Sequence, residues 1–492
     1  MQIQHCLSIV RTIYIVLLFL LAFCLPQKVD GQSFDEYRER TQRQFNDRRQ
    51  TVQKEFNSLR AKVNKEFSDL LGHEWQPSGT RKITRNPLWD YPSIPPQTAK
   101  EVPDKPVQKE CKPISVSSDG KAPVPPAEIE FDPSGTQTSL RFVFYGTDCK
   151  VSFDRADRVR LKNTAAESIS QIWTDFTSVK YSNLIADFDR IRKELELCDW
   201  ASLKLAQKIS AEIYGNDYLN EMIVLQSYML TQCGLMTCML LDKSGRLHLL
   251  AATDRSLFGY PAYFIDNTEL YQVDGQDVES GTVPRKPMPG TQPLRMRITS
   301  PGKIKVNVAK TDKGANINRN DIDFYADYPA FYDNSSPSTS FSHIASVRLG
   351  AEAESTLYPY LKEKLEGLGE EAAVQLILIY LYKVFPYKED EKVWGKERYF
   401  FPEETLYYEF SDCEDRAILF TRIVRDLLGL KTALLYMPGH LSAAVHFNSD
   451  VDGDAVKVNG VKYVICDPTY INANVGQAMP GWDVKDIEVL PL

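Results

Sequence analysis

The sequence lacks an excess of basic residues. Its 58 lysines and arginines are outnumbered by 66 aspartates and glutamates, which gives a formal net charge of −8 at pH 7. Binding to nucleic acid depends on clustered positive charge, so we expect no nucleic-acid partner. With 43% hydrophobic and 25% charged residues, the composition also argues against wholesale disorder. The length of 492 residues suits about three domains.

Long apolar runs are scarce as well. One clear run, Thr12–Leu25, follows Arg11 and is shorter than the ~20 residues that a membrane-spanning helix needs. Val29 and Gly31 are acceptable at a cleavage site before Gln32. The pattern predicts that residues 1–31 are a secretory signal peptide and that the protein is exported, to the periplasm, the cell surface or the medium. A retained anchor is the alternative.

Cysteines are few, and after cleavage their number is odd. Seven remain in the mature chain: Cys111, Cys149, Cys198, Cys233, Cys238, Cys413 and Cys466. In an oxidising compartment an odd number leaves at least one thiol unpaired. Cys413 is the candidate for that free thiol, and the pairing of the others stays open.

Residues 32–76 repeat with a period of eleven. Phe34, Phe45, Phe56 and Phe67 recur at this interval. Because eleven residues make about three helical turns, the pattern predicts an amphipathic helical arm with one apolar stripe. The stripe could dock on the protein's own body, self-associate or bind a partner in the cell envelope.

The centre of the chain changes character twice. Twelve prolines between Pro77 and Pro133 predict an extended, Pro-rich linker over residues 77–138. Residues 139–275 then show alternating strand patterns and helical periodicity, which predict an α+β domain.

Residues 276–342 read as a connection and residues 343–492 as the last domain. The stretch Leu294–Lys310 predicts a β-hairpin with "SPGK" at its turn, and the polar stretch Thr311–Ser340 predicts a loop. The fold class expected for the body is therefore α+β.

The segment "SDCEDRAILFTRIVRDLLGL" predicts a helix that begins at Cys413. Ser411 or Asp412 can cap its start, and Gly429 can end it. The helix dipole favours negative charge at this end, so we expect a lowered pKa for the Cys413 thiol.

Acidic residues surround this cysteine in the sequence. At ~100° per residue, Asp412 and Glu414 project to opposite sides of Cys413, and Asp415 points nearly opposite to it. We expect the acids to cap the helix and to face away from the thiol, whereas Arg416 shares its side.

A base and a carboxylate follow the cysteine. His440 and His446 lie in "GHLSAAVHF", and Asp467 lies in "KYVICDPTY", both of which read as strands. Cysteine, histidine and aspartate supply a nucleophile, a base and an orienting carboxylate. His440 is favoured as the base because it opens its strand after a "PG" turn, and His446 is the alternative.

The segments "PEETLYYEFSDCEDRA", "GHLSAAVHF" and "CDPTY" together resemble the transglutaminase-like superfamily, cysteine enzymes with a papain-like core, and its exported bacterial members. The resemblance covers roughly residues 345–492. It implies a catalytic triad of Cys413, His440 and Asp467 in a cysteine peptidase, amidase or acyltransferase that acts on a protein or peptide. Ser411 replaces the usual glycine, and an aromatic residue is missing two positions after His440, so substrate and reaction type stay open.

The resemblance leaves three functions to compare. Hydrolysis of an amide by acyl transfer is the first, crosslinking by amine transfer is the second, and a non-catalytic module of the cell envelope is the third. The triad itself requires no cofactor.

The resemblance also suggests a metal. In a periplasmic, biofilm-regulating branch of such bacterial proteases, acids beside the nucleophile help to bind calcium, and "DCED" is similar to that branch. Asp412 and Glu414 are therefore candidate Ca²⁺ ligands, since oxygen ligands suit this ion. Helix capping by solvated surface acids is the alternative.

A segment before this domain shows a weaker similarity to the same sequence pattern. With a shift of 195 residues, Gly234 matches Gly429 and Tyr218 takes the place of Cys413, while His248 lies near the place of the predicted base. The similarity predicts a degenerate, catalytically silent second copy, with a chance match of helix-then-strand patterns as the alternative.

Overall fold

The structure is a computed structural model. It describes residues 34–77, 83–84, 96–99, 108–111, 139–215, 217–275, 278, 280–284, 292–297, 302–333, 336–481 and 487–492. The predicted signal peptide and most of the predicted linker lie outside these residues. The chain divides into two compact units, residues 1–62 and 63–492. Within the described ranges, no helix is both long and apolar enough to cross a membrane.

Runs of helices are followed by runs of antiparallel strands, as expected for an α+β protein. The helices are α1 (Phe34–Leu71), α2 (Ala166–Asp175), α3 (Val179–Glu194), α4 (Asp199–Tyr214), α5 (Leu219–Gln232), α6 (Arg319–Asp327), α7 (Thr339–Ser346), α8 (Ala351–Leu365), α9 (Glu370–Val384), α10 (Asp390–Trp394), α11 (Pro402–Tyr407) and α12 (Cys413–Leu428). The strands are β1 (Gln76–Pro77), β2 (Ile83–Thr84), β3 (Gln108–Cys111), β4 (Leu140–Phe144), β5 (Thr147–Val151), β6 (Thr237–Asp242), β7 (Leu247–Ala252), β8 (Ser256–Leu257), β9 (Pro261–Ile265), β10 (Thr268–Gln272), β11 (Gly281–Val283), β12 (Val308–Lys310), β13 (Asn316–Asn318), β14 (Phe331–Tyr332), β15 (Lys431–Met437), β16 (His440–His446), β17 (Ala455–Val458), β18 (Val461–Ile465) and β19 (Glu488–Pro491).

Helix α1 confirms the predicted helix of the arm. Phe45, in the unit of residues 1–62, is 62% exposed. In the unit of residues 63–492, the last turns of α1 pack on the body. Phe67 is buried with its ring 5.1 Å from the ring of Trp173, and the side-chain amides of Asn64 and Gln232 exchange hydrogen bonds. The end of the phenylalanine stripe is thus part of the core.

Two sheets of the same topology form the body. The first has the order β1-β11-β6-β7-β10-β9-β2, and the second has the order β19-β15-β16-β18-β17-β3. The five strands β11-β6-β7-β10-β9 correspond one by one to β19-β15-β16-β18-β17, and every pairing among them is antiparallel. A buried helix, α5 or α12, leads into each sheet. The two halves therefore share one chain path.

The register of the two sheets also agrees. The N–H of Val273 donates to the carbonyl of Leu249 at 2.9 Å, and the N–H of Cys466 donates to that of Ala443 at 2.8 Å. This equivalence places Asp274 of the first half where Asp467 stands in the second.

In the same register His248 lies two residues along the strand from the place of His440, which agrees with the prediction that it lies near that place. His248 pairs with Leu240, whereas the equivalent pairing in the second sheet joins Ser442 to Leu435. The turn between β6 and β7 is longer than the Pro438–Gly439 turn between β15 and β16, which shifts the histidine along its strand. Because strands have a period of two, His248 still faces the same side as His440.

Parts of the predicted linker are paired with the body. Strands β1 and β2 extend the two edges of the first sheet, and β3 runs parallel to β17. Thr98 forms a bridge with Ile471. Where it is described, this proline-rich segment supplies edge strands, a place where proline is tolerated.

The connection between the halves differs from its prediction. Strand β12 pairs with β13, so the turn of the described hairpin lies at residues 311–315 rather than at "SPGK", whose Ser300 and Pro301 lie outside the described residues. The stretch predicted as a loop contains α6. Its polar residues suggested a loop, but Asn318 caps the helix, and buried Ile322 and Phe324 anchor it.

Candidate active site

Helix α12 positions Cys413. The helix begins directly after Asp412 and ends at Gly429, which has a φ of 67°, as the sequence predicts. The Asp415 carboxylate accepts the N–H of Asp412 at 3.3 Å and that of Phe400 at 3.1 Å, which holds the helix start in place.

His440 and Asp467 meet on the second sheet. His440 opens β16 after the Pro438–Gly439 turn, and Asp467 follows β18 directly. The Nε2 atom of His440 lies 2.7 Å from an oxygen of Asp467, whose other oxygen accepts the N–H of Thr469 at 2.8 Å. The strand pairing of β16 with β18 thus brings the predicted base and carboxylate into contact.

Cys413 lies beside the start of β16. The backbone N–H of Leu441, the residue after His440, forms a hydrogen bond with the sulfur that favours the thiolate and acts to lower the pKa of the thiol. Cys413 and His440 are 0% exposed and Asp467 is 4% exposed. The Nδ1 atom of His446, at the far end of the strand, contacts the carbonyl of Lys462 at 2.9 Å. The structure therefore groups Cys413, His440 and Asp467, and leaves His446 outside.

The electrostatics of the thiol differ from the prediction. Burial raises the pKa of Cys413 far above its ordinary value, and the carboxylate of Asp412 raises it further. Both effects oppose the lowering that a helix start favours. Glu414 does not face away, because its carboxylate accepts a hydrogen bond from the thiol with an S–O distance of 3.1 Å.

The neighbouring acids form a buried cluster. Asp390, Glu397, Asp412 and Glu414 each offer one oxygen, and these oxygens lie within 4.8 Å of one another. Because oxygens of Asp412 and Glu414 converge, the expectation that these side chains project to opposite sides of Cys413 is wrong. Asp412 and Glu414 are 2% and 1% exposed, so the alternative of solvated surface acids is wrong as well. Asp390 and Glu397 were not predicted as members of the cluster, because nothing in the charged stretch 388–398 distinguishes one acidic residue from another.

The chemistry of this cluster fits a divalent cation. Burial raises the pKa of Asp390 to about 7 and that of the Asp412 and Glu414 carboxyls well above their usual range, with mutual repulsion adding to the shift. One buried oxygen each of Glu397, Asp412 and Glu414 has no hydrogen-bond partner among the described residues. Hard oxygen donors without partners are what Ca²⁺ takes as ligands.

Arg416 ties a neighbouring segment to the start of α12. It donates hydrogen bonds to the carbonyl of Phe385 and, at 3.3 Å, to the hydroxyl of Ser411. Its guanidinium lies 5.3 Å from the centre of the Tyr387 ring. This arginine therefore fixes the segment from Phe385 to Tyr387 against the cysteine's helix.

The first half also holds a histidine–carboxylate pair. Nδ1 of His248 lies 2.8 Å from Asp274, and its Nε2 lies 3.2 Å from Asp242. Tyr218 directly precedes α5, within one position of the place of Cys413, and its ring centre lies 4.4 Å from the guanidinium of Arg160.

In comparisons with known proteins, no protein-family model matches the chain and no curated protein sequence matches it. The geometry of the site therefore carries the functional argument.

Proposed function

We propose that the protein is a cysteine hydrolase, a peptidase or amidase, that acts by acyl transfer through Cys413, His440 and Asp467. The domain of residues 343–492 would then be transglutaminase-like, with a papain-like core. The observation that carries the proposal is the 2.7 Å contact between His440 and Asp467 beside a thiol at a helix start. A buried carboxylate on one imidazole nitrogen orients the ring and stabilises the imidazolium.

The steps follow from this arrangement. Nε2 of His440 is held by Asp467, so Nδ1 takes the thiol proton. The Cys413 sulfur attacks the carbonyl carbon, and the π-electron pair moves to the oxygen. When the C–N bond breaks, the leaving amine takes the proton from His440. Water, activated by His440, then hydrolyses the thioester and frees the thiol.

To form the thiolate, Cys413 must transfer to His440 the proton that it shares in a hydrogen bond with Glu414. In the resting state the thiol donates to Glu414, and the carboxylates around it oppose thiolate formation. A divalent cation held by Asp390, Glu397, Asp412 and Glu414 would neutralise this opposing charge. The Cys413 thiol lies between the carboxylate of Glu414 and strand β16, which carries His440.

The first half, in this proposal, is the degenerate and catalytically silent copy. Its strand order matches that of the second half, and Asp274 stands in the place of Asp467. Tyr218 supplies only a phenol near the position of the nucleophile. With an ordinary pKa of ~10, a phenol is a poor nucleophile at neutral pH.

The two histidines of β16 test the proposal. Cys413→Ala should abolish hydrolysis of a mixed peptide library, and His440→Ala should lower it by about 10³-fold, because triad members act as a unit. His446→Ala is the matched control on the same strand and should stay within a few-fold of wild type. Near-UV circular dichroism checks folding. Loss of activity in His446→Ala but not in His440→Ala would overturn the assignment of the base.

A further inference from the structure

Tyr387 is tied to the residues that lead into α12. It forms a bridge with Ser411, which lies two positions before Cys413 in the sequence. The N–H of Lys388 donates to the carbonyl of Ser411 at 3.2 Å, and the N–H of Ser411 donates to that of Pro386 at 3.1 Å. The backbone of Tyr387 is therefore fixed relative to the start of the cysteine's helix.

The hydroxyl of Tyr387 is shielded from solvent and has no hydrogen-bond partner among the described residues. Burial raises the pKa of this phenol, and the next contributions come from Cys413, Asp412 and Glu414, so the ring shares the surroundings of the thiol. A buried donor without an acceptor costs free energy in the resting protein. Such a donor is suited to a state in which an acceptor arrives.

We propose that the Tyr387 hydroxyl donates a hydrogen bond to the oxyanion that forms when the Cys413 sulfur attacks a carbonyl carbon. This inference rests on the proposed function. As the C–S bond forms, the π-electron pair of the carbonyl becomes a lone pair on oxygen, and the tyrosine keeps its proton while donating to it. When the carbonyl re-forms, the C–N bond breaks and the amine takes its proton from His440. Preorganised donors of this kind are worth about 10²–10³-fold in rate.

A matched pair of variants and a pair of reagents can test this role. Tyr387→Phe removes one oxygen and keeps the ring over which Arg416 lies. Tyr380→Phe is the control, because the buried Tyr380 hydroxyl donates to the carbonyl of Lys313 at 2.8 Å, away from the thiol. Iodoacetamide alkylates Cys413 by displacing iodide without an oxyanion. N-acetyl dipeptide aldehydes add to the thiol and place an oxygen where the oxyanion would form.

We expect Tyr387→Phe to weaken aldehyde binding by about 10²-fold while the alkylation rate stays within twofold. Its melting temperature should not fall, since no resting hydrogen bond is lost, whereas Tyr380→Phe should melt earlier and bind aldehydes normally. Equal aldehyde binding by Tyr387→Phe and wild type would overturn the role. A parallel loss of alkylation and aldehyde binding would also overturn it, because the tyrosine would then act on the thiol. A wild-type protein that reacts with neither reagent would refute the proposed function itself.

Discussion

At the scale of the residue, Asp467 and Asp274 occupy equivalent positions in the two halves and can be compared within one chain. Asp467→Asn should lower turnover by about 10²–10⁴-fold, because the amide cannot stabilise the imidazolium of His440. Asp274→Asn makes the same change beside His248, in the half that we propose to be silent, and should leave turnover unchanged. Steady-state kinetics of both variants measures this. A large loss of turnover in Asp274→Asn would show that the first half takes part in catalysis.

A second pair of carboxyl groups makes stability depend on pH. Burial, with a smaller contribution from Asp321, raises the pKa of Glu403 to about 8, and burial, with a smaller contribution from Glu352, raises the pKa of Asp321 to about 7. Both values lie above those of the unfolded chain, ~4. The stability they contribute is therefore fully present below pH ~4 and is lost as the pH rises through about 7 to 8.

Urea denaturation between pH 5 and pH 9 checks this dependence. We expect the free energy of unfolding to fall towards pH 9 by an amount on the order of 3 kcal/mol. Glu403→Gln should reduce the slope, because the amide does not ionise, while its oxygen can still accept the Gly350 N–H that Glu403 accepts at 2.8 Å. The same slope in wild type and variant would contradict the assignment to Glu403.

The order of residue types along the chain was enough to predict that Cys413, His440 and Asp467 come together, but not what surrounds them. Cys413, His440 and Asp467 lie next to a helix cap, a tight turn and a strand end, all of which are local signals. The direction of the thiol pKa could not be predicted in this way, because it depends on burial by distant segments. For the same reason the sequence did not place Asp390 and Glu397 beside Asp412 and Glu414.

At the scale of the element, the start of α12 joins the thiol to the carboxylate cluster. We expect Ca²⁺ to raise the melting temperature and to speed alkylation of Cys413 relative to protein in EGTA, since the cation would relieve repulsion among buried carboxylates. Glu397→Gln should reduce both effects, and Glu366→Gln, at an exposed position, should not. Identical melting curves and alkylation rates in Ca²⁺ and EGTA would contradict the proposed cation site.

Elements with a strong local pattern were predicted best. The eleven-residue period predicted α1, and the cap and final glycine predicted the bounds of α12. Polar helix α6 was missed, because its asparagine and aspartates serve as a cap and as buried partners, and only the packing of its apolar side chains on distant residues makes it helical. Edge strands β1 to β3 depend on partners far along the chain, which a proline-rich sequence does not indicate.

At the scale of the whole molecule, self-association is one of the three roles that the sequence leaves open for the apolar stripe of α1. Phe45 is 62% exposed, although it belongs to a stripe of regular period. Phe45→Glu should lower the molar mass in light scattering to that of a monomer. Val179→Glu is the control, since Val179 is 77% exposed on the body and outside the stripe. A monomeric wild-type protein would contradict self-association and leave the stripe to another partner.

The sequence indicated only weakly that the two halves are alike, whereas the two sheets share one strand order across five strands. Few identities survive between the halves, and helix-then-strand patterns are common by chance. The shared strand order and register are properties of the backbone, which tolerates many changes of side chain as long as buried positions stay apolar.

One cluster of buried apolar side chains runs from Phe67 to Leu490 and belongs to both halves. Tyr325 of the connection stacks on Phe401, which precedes α12 in the chain, with ring centres 4.4 Å apart. A substitution in the core of the first half can therefore lower the amount of folded protein without touching Cys413, His440 or Asp467. If the first half is the silent copy that we propose, its apolar core must still be kept, because the second half packs on the same core.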